Sequence, residues 1–195
     1  MRGVEQIPWV YDAMCSLMEA TGLRKWRAWL TGGARGLTLE VGSGTGRNLP
    51  LYPQEARVVA VEPSWDTLRR SRARAGAQVA LVRASAEALP FRDGAFETVV
   101  SGLVFCSVPD PVRGLEEVRR VLQDDGQLRM LEHVRSTSRF GAAYQDLIQP
   151  AWTRVAGGCH PNRDTEANVT AAGLRIDPLT RRAKGNLRRF VASKR

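Results

Sequence analysis

An α/β fold built on a doubly wound, mostly parallel sheet is predicted by three observations. Short β-rich runs alternate with helical segments from Leu37 onward, the first run leads straight into a glycine-rich turn, and an acidic residue, Glu62, ends the second run. The β-rich runs are 37–41, 57–61, 78–82, 96–101 and 126–133. Helical segments are expected after Thr45, Ser64, Pro111 and Thr137, with Ser64 and Asp66 suited to cap the second of them. Two further runs, 174–178 and 187–192, flank Gly185-Asn186, so an antiparallel hairpin is expected to close the sheet. Before the sheet, Ile7, Val10, Met14, Leu17 and Met18, then Leu23, Trp26, Trp29 and Leu30, recur at helical spacing. They predict two amphipathic helices broken near Thr21 and Gly22.

A chain of 195 residues, 43% hydrophobic and 25% charged, matches one globular domain with a continuous core, which excludes wholesale disorder, a collagen-like repeat and a coiled coil. No apolar run approaches the roughly 18 residues of a membrane-spanning helix. Glu5, Pro8 and Asp12 interrupt the stretch that a secretion signal would need, so a cytoplasmic protein is expected. Cys15, Cys106 and Cys159 are too far apart for a CxxC metal or redox site, and no metal centre is expected. The net charge of +9 is uneven: residues 1–174 carry 21 basic and 19 acidic side chains, residues 175–195 carry 8 and 1. Peripheral contact with an anionic membrane through that basic stretch is one expectation; a nucleic-acid partner is not expected.

The turn reads Glu40-Val41-Gly42-Ser43-Gly44-Thr45-Gly46-Arg47-Asn48. Alternating glycines let a backbone bend sharply and approach a ligand more closely than a Cβ would allow. Arg47 stands where a dinucleotide fingerprint needs a third small residue, and Gly46 is not followed by the Lys-Ser or Lys-Thr of a phosphate-binding loop. Glu62, 20 residues after Gly42, occupies the place from which an acid accepts hydrogen bonds from ribose hydroxyls. Loop and acid together imply an adenosine-containing ligand.

With Glu40-x-Gly42-x-Gly44-x-Gly46, Glu62 and the stretch Ala84-Ser85-Ala86-Glu87-Ala88-Leu89-Pro90-Phe91, the sequence resembles the class I, type 11 methyltransferases that use S-adenosylmethionine. Leu103 to Val108, Met130-Leu131-Glu132-His133-Val134, Gln149-Pro150-Ala151-Trp152 and Gly158-Cys159 resemble the subfamily that includes thiol S-methyltransferases. The resemblance implies a Rossmann-like sheet over residues 36–195, a helical lid over residues 1–35, and S-adenosyl-L-methionine as cofactor. It places Glu40, Gly42, Ser43, Gly44, Gly46 and Asn48 around the methionine part and ribose, Glu62 and Pro63 at the ribose, Ser85, Ala86 and Glu87 at the adenine, and Ser101 and Gly102 beside the sulfonium. Ser85 departs from the family, where an aspartate usually accepts from the adenine amino group.

The acceptor is expected to be a small molecule, a thiol foremost, with phospholipid or quinone-like acceptors and a non-catalytic cofactor-binding protein as alternatives. His133 and Glu132, at the end of the fifth run, are the candidate catalytic groups, because ligands in such sheets bind at the carboxyl edge. Trp9, Tyr11 and Met14 are candidates for an apolar wall of the lid.

Overall fold

The computed structural model describes residues 22–155 and 158–194. The first predicted helix, with Trp9, Tyr11, Met14 and Cys15, lies outside the described residues. The second is α1 (Arg24–Gly32), followed by β1 (Leu37–Val41), β2 (Arg57–Val61), α2 (Trp65–Ser71), β3 (Val79–Val82), β4 (Phe96–Gly102) and α3 (Pro111–Val121). Then come β5 (Leu122–His133), α4 (Arg139–Val155), α5 (Thr165–Ala171), β6 (Leu174–Ile176), β7 (Arg182–Lys184) and β8 (Leu187–Lys194). The order across the sheet is β3-β2-β1-β4-β5-β8-β6, with β7 also paired to β8. Strands β1 to β5 pair in parallel, whereas β8 runs antiparallel to β5.

Alternate side chains of the central strands enter two separate cores, as strand geometry requires of a sheet covered on both faces. Leu39, Val99, Leu128 and Met130 pack with Leu115 and Val118 of α3 and Val169 of α5. On the other face Ala60, Val100 and Leu131 pack with Leu23 and Leu30 of α1 and with Tyr52. Arg129 fixes α1 to this face: its guanidinium donates to the carbonyls of Trp29 at 2.5 Å and Leu30 at 2.8 Å, at the negative end of the helix, and lies 4.5 Å from the Trp29 ring centre. Arg189 stacks on Trp29 from β8 at 4.6 Å and also reaches Trp26.

One expectation needs correction. The segment after Thr45 is a series of turns ending in one short 3-10 turn, Leu49–Leu51, not an α-helix, because Pro50 and Pro53 cannot donate the backbone bonds that a longer helix needs. The expected antiparallel closure of the sheet is present, with β6 on β8 and Leu174 opposite Lys194, and the Gly185-Asn186 turn joins an additional strand, β7, to β8. Within the basic C-terminal stretch Arg188 is buried, Arg181 pairs with Glu166 and Lys194 pairs with Asp124, while Arg182 and Lys184 are exposed.

Candidate functional site

The carboxyl ends of β1, β2, β4 and β5 meet along one edge, the place where ligands bind in open α/β sheets. After β1 the chain turns through Gly42, Ser43 and Gly44, anchored by Ser43 N donating to Val61 O at 2.9 Å. Gly42 has φ +64°, and a Cβ there would meet Val104 at 2.5 Å, so only glycine fits. Gly44 has φ +55°, and a Cβ there would meet nothing within 4 Å: the backbone faces open space. Gly46 closes the loop against Ser71 of α2. Glu62, just past β2, points back at this loop, accepting from Gly44 N at 3.1 Å and from Ser64 N at 3.0 Å. Burial raises its pKa, and those two backbone donors oppose the rise. The adjoining Pro63 is exposed, and its carbonyl accepts from Arg83.

Beneath the loop lies a buried polar chain that sequence reading saw only in part. Arg27 of α1 donates to Asn48 Oδ1 at 2.7 Å, and Asn48 Nδ2 donates to Glu40 Oε1 at 2.9 Å. Arg27 occupies the position between Leu23 and Leu30 in the apolar stripe of α1, and a charge in such a stripe was the signal available. Burial lifts the pKa of Glu40 from 4.5 to about 7, against the pull of Asn48 and the Arg27 charge. A carboxyl whose pKa is raised on folding contributes stability below its unfolded pKa, and that contribution is lost as pH rises through the folded value. The difference in unfolding free energy between wild type and Glu40→Gln should therefore shift against the wild type by about 3 kcal/mol from pH 4.5 to about 7, measured by urea unfolding. A pH-independent difference would contradict this.

On the adenine side, Ser85 Oγ donates to Glu87 Oε2 at 3.1 Å and accepts from Glu87 N, while Glu87 Oε1 accepts from Asp110 N at 2.8 Å. Ala86 is buried between them. The Ser85 hydroxyl and the Glu87 carboxylate thus brace the turn after β3 against the start of α3.

The two candidate catalytic residues are separated, because neighbours on a strand face opposite sides. Glu132 is completely buried and accepts from Ser101 Oγ at 3.0 Å, Val104 N at 3.1 Å and Phe105 N at 3.3 Å. Burial lifts its pKa to about 7 against these donors. A carboxyl engaged in this way anchors the loop after β4. Ser101, also fully buried and donating to Glu132, supports the same loop instead of facing a ligand. The loop needs the anchor because Leu103 is held at φ +63°, costly for a residue with a Cβ. On the α1 side Gly102 is closely packed, since a Cβ there would meet Leu30 at 3.0 Å and Asn48 at 3.2 Å. His133 is only partly buried and pairs in register with Leu187. Burial lowers its pKa, which favours the neutral imidazole, a proton acceptor.

The arrangement fits the S-adenosylmethionine implied by the sequence. A carboxylate touches the glycine loop, the loop faces open space at Gly44, and the buried Ser43 Oγ meets no hydrogen-bond partner among the described residues.

A methyltransferase domain model matches residues 39–130. The rat thiol S-methyltransferase TMT1B is 33% identical over 141 residues, covering 69% of this chain and 58% of the relative. The phosphatidylethanolamine N-methyltransferase of Cereibacter sphaeroides is 35% identical over 103 residues, with 50% and 51% covered. The chain thus spans little more than half the length of these relatives. In fold it matches the crystal structure of a SAM-dependent methyltransferase from Thermotoga maritima with a TM-score of 0.63 at 24% identity, covering 83% of each chain.

Proposed function

We propose that this protein, whose residues 39–130 match a methyltransferase domain model, transfers a methyl group from S-adenosylmethionine to a small-molecule acceptor, with small thiols as the leading class. The observation that carries the reading is the contact between the Glu62 carboxylate and Gly44 N, which joins the glycine loop and the ribose-binding acid into one cradle.

When bound, S-adenosylmethionine supplies a methyl group on a sulfonium, an already activated leaving group. Glu62 would hold the ribose hydroxyls, and the backbone of Gly42 to Gly46 would leave room for the ligand. The buried chain Arg27-Asn48-Glu40 would set the charge beneath the loop at the amino-acid end, where Ser43 Oγ awaits a polar partner. Gly102 and Leu103, fixed by Glu132, would border the reaction centre. What remains for the protein is to hold the acceptor in line, an effect worth up to about 7–11 kcal/mol for well-oriented reactants. A thiol with a pKa near ~8.5 is already a few per cent thiolate at neutral pH, so the neutral His133 imidazole has only to receive a proton.

The thiol acceptor draws on the named activity of the rat relative, and lipid amines enter as the second class through the bacterial one. The proposed setting is the cytoplasm, whose reducing conditions suit the free thiols Cys106 and Cys159, packed against each other in the interior. Release of S-adenosylhomocysteine should be measured across thiol, phenol, amine and lipid acceptors, with Glu62→Ala as control. Turnover with thiols that the control lacks supports the reading. Tight cofactor binding with no turnover on any acceptor would replace it with a cofactor-binding protein.

A further inference from the structure

Helix α4 is built inside out. Its inward side is polar: the buried Gln145 donates to the carbonyls of Val134 and Pro161, and Gln149 reaches Thr153 and the His160 ring. Its outward side is apolar. Phe140, Tyr144 and Leu147 are 78%, 63% and 79% exposed, and their i, i+4, i+7 spacing aligns them on one face about 10 Å long. Ala151 extends the same line at i+11. Such a face on a helix whose polar side chains already serve the protein interior marks a docking surface.

The charges around it identify the occupant. Exposed Arg139 and Arg154 stand at the two ends of the helix, with the Arg139 guanidinium 5.5 Å from the Phe140 ring centre. The single acidic residue of α4, Asp146, is taken up by Arg135 and Asn162. Five residues separate the end of β5 from the start of α4, so the face begins near the carboxyl edge of the sheet. Exposed Arg182 and Lys184 lie at that edge as well, because the β7–β8 turn sits over the end of β5: Leu187 pairs with His133, and Val134 N donates to Asn186 O at 2.8 Å. Gly22, at the start of α1, lies beside Lys184 and brings the exposed Arg24 and Lys25 to the same place. An apolar, aromatic-bearing helix face with Arg139 and Arg154 at its ends, whose one acid is paired, is complementary to anionic headgroups over acyl chains.

We infer that the Phe140-Tyr144-Leu147 face of α4 docks on an anionic phospholipid bilayer and turns the carboxyl edge of the sheet toward the membrane. The apolar anchor lies on α4, outside the C-terminal stretch that composition singles out, although Arg182 and Lys184 of that stretch stand at the same edge, and it stands whether or not methyl transfer is observed.

The test is sedimentation of the full chain with vesicles of phosphatidylcholine alone, and of phosphatidylcholine and phosphatidylglycerol in equal parts. Wild type should partition onto the mixed vesicles far more than onto the neutral ones. Leu147→Ser and Phe140→Ser should each lower partitioning roughly tenfold, the equivalent of one lost apolar anchor. Arg139→Gln with Arg154→Gln should weaken it chiefly at low salt. Both pairs of positions are exposed, so circular dichroism and melting should stay at wild-type values. Absence of vesicle binding by the folded wild type would overturn the inference. So would binding that the stripe variants leave unchanged, or a self-associated wild type that those variants convert to monomer without any vesicle binding.

Discussion

Glu132→Ala is expected to lower unfolding stability by about 3–5 kcal/mol, the range for removing a buried charged partner from its hydrogen-bonded groups. The substitution leaves the Ser101 hydroxyl and the N–H groups of Val104 and Phe105 buried without the oxygens that they now meet. It also frees Leu103 to leave its left-handed conformation, so the border of Gly102 shifts and turnover falls even in the molecules that remain folded. Glu132→Gln, which keeps one acceptor oxygen, should lose less of both. Urea unfolding of the two variants checks the order, and an alanine variant as stable as wild type would remove the loop-anchor role.

Glu62→Ala is expected to weaken binding of S-adenosylmethionine by roughly 10- to 100-fold, since hydrogen bonds to a charged acceptor contribute about 1.5–3 kcal/mol each. The fold should persist, because Glu62 is only partly buried and its donors, Gly44 N and Ser64 N, lie near solvent. Acidification should act on the wild type in the same direction. Burial raises the Glu62 pKa, and the ionised form is the better acceptor, so affinity is present above that pKa and declines as pH falls through it. Binding measured against pH on wild type and Glu62→Ala should give a slope in the first that the second lacks.

The parts of this molecule legible in the sequence are those fixed by local patterning. The runs at 37–41 and 57–61 coincide with β1 and β2, and Ser64 caps α2 by accepting from Thr67 N. The glycine loop and Glu62 were legible because each demands a residue type at a spacing set by the strand-turn-strand path. What escaped depends on long-range pairing. Strand β7, Arg182–Lys184, is three exposed polar residues that form a strand only through their register with β8. Helix α5 is seven residues long, capped by Asp164 and stabilised by packing Val169 under the sheet, too short for periodicity to announce it. Among candidate site residues, Glu132 and His133 were both singled out by their place at the carboxyl edge of the sheet; strand alternation sends their side chains to opposite faces. Ser101 looked like a ligand neighbour, and its hydroxyl belongs to Glu132. Arg27 was hidden in an amphipathic stripe and emerged only when α1 was laid over Asn48.

Everything functional rests on the cradle formed by Gly44 and Glu62 accepting the adenosyl group of the methyl donor. Isothermal titration calorimetry of the folded full chain with S-adenosylhomocysteine tests this directly. Saturable binding near one equivalent per chain, sharply weakened by Glu62→Ala, is the predicted result; no measurable binding by a chain that circular dichroism shows to be folded would contradict it.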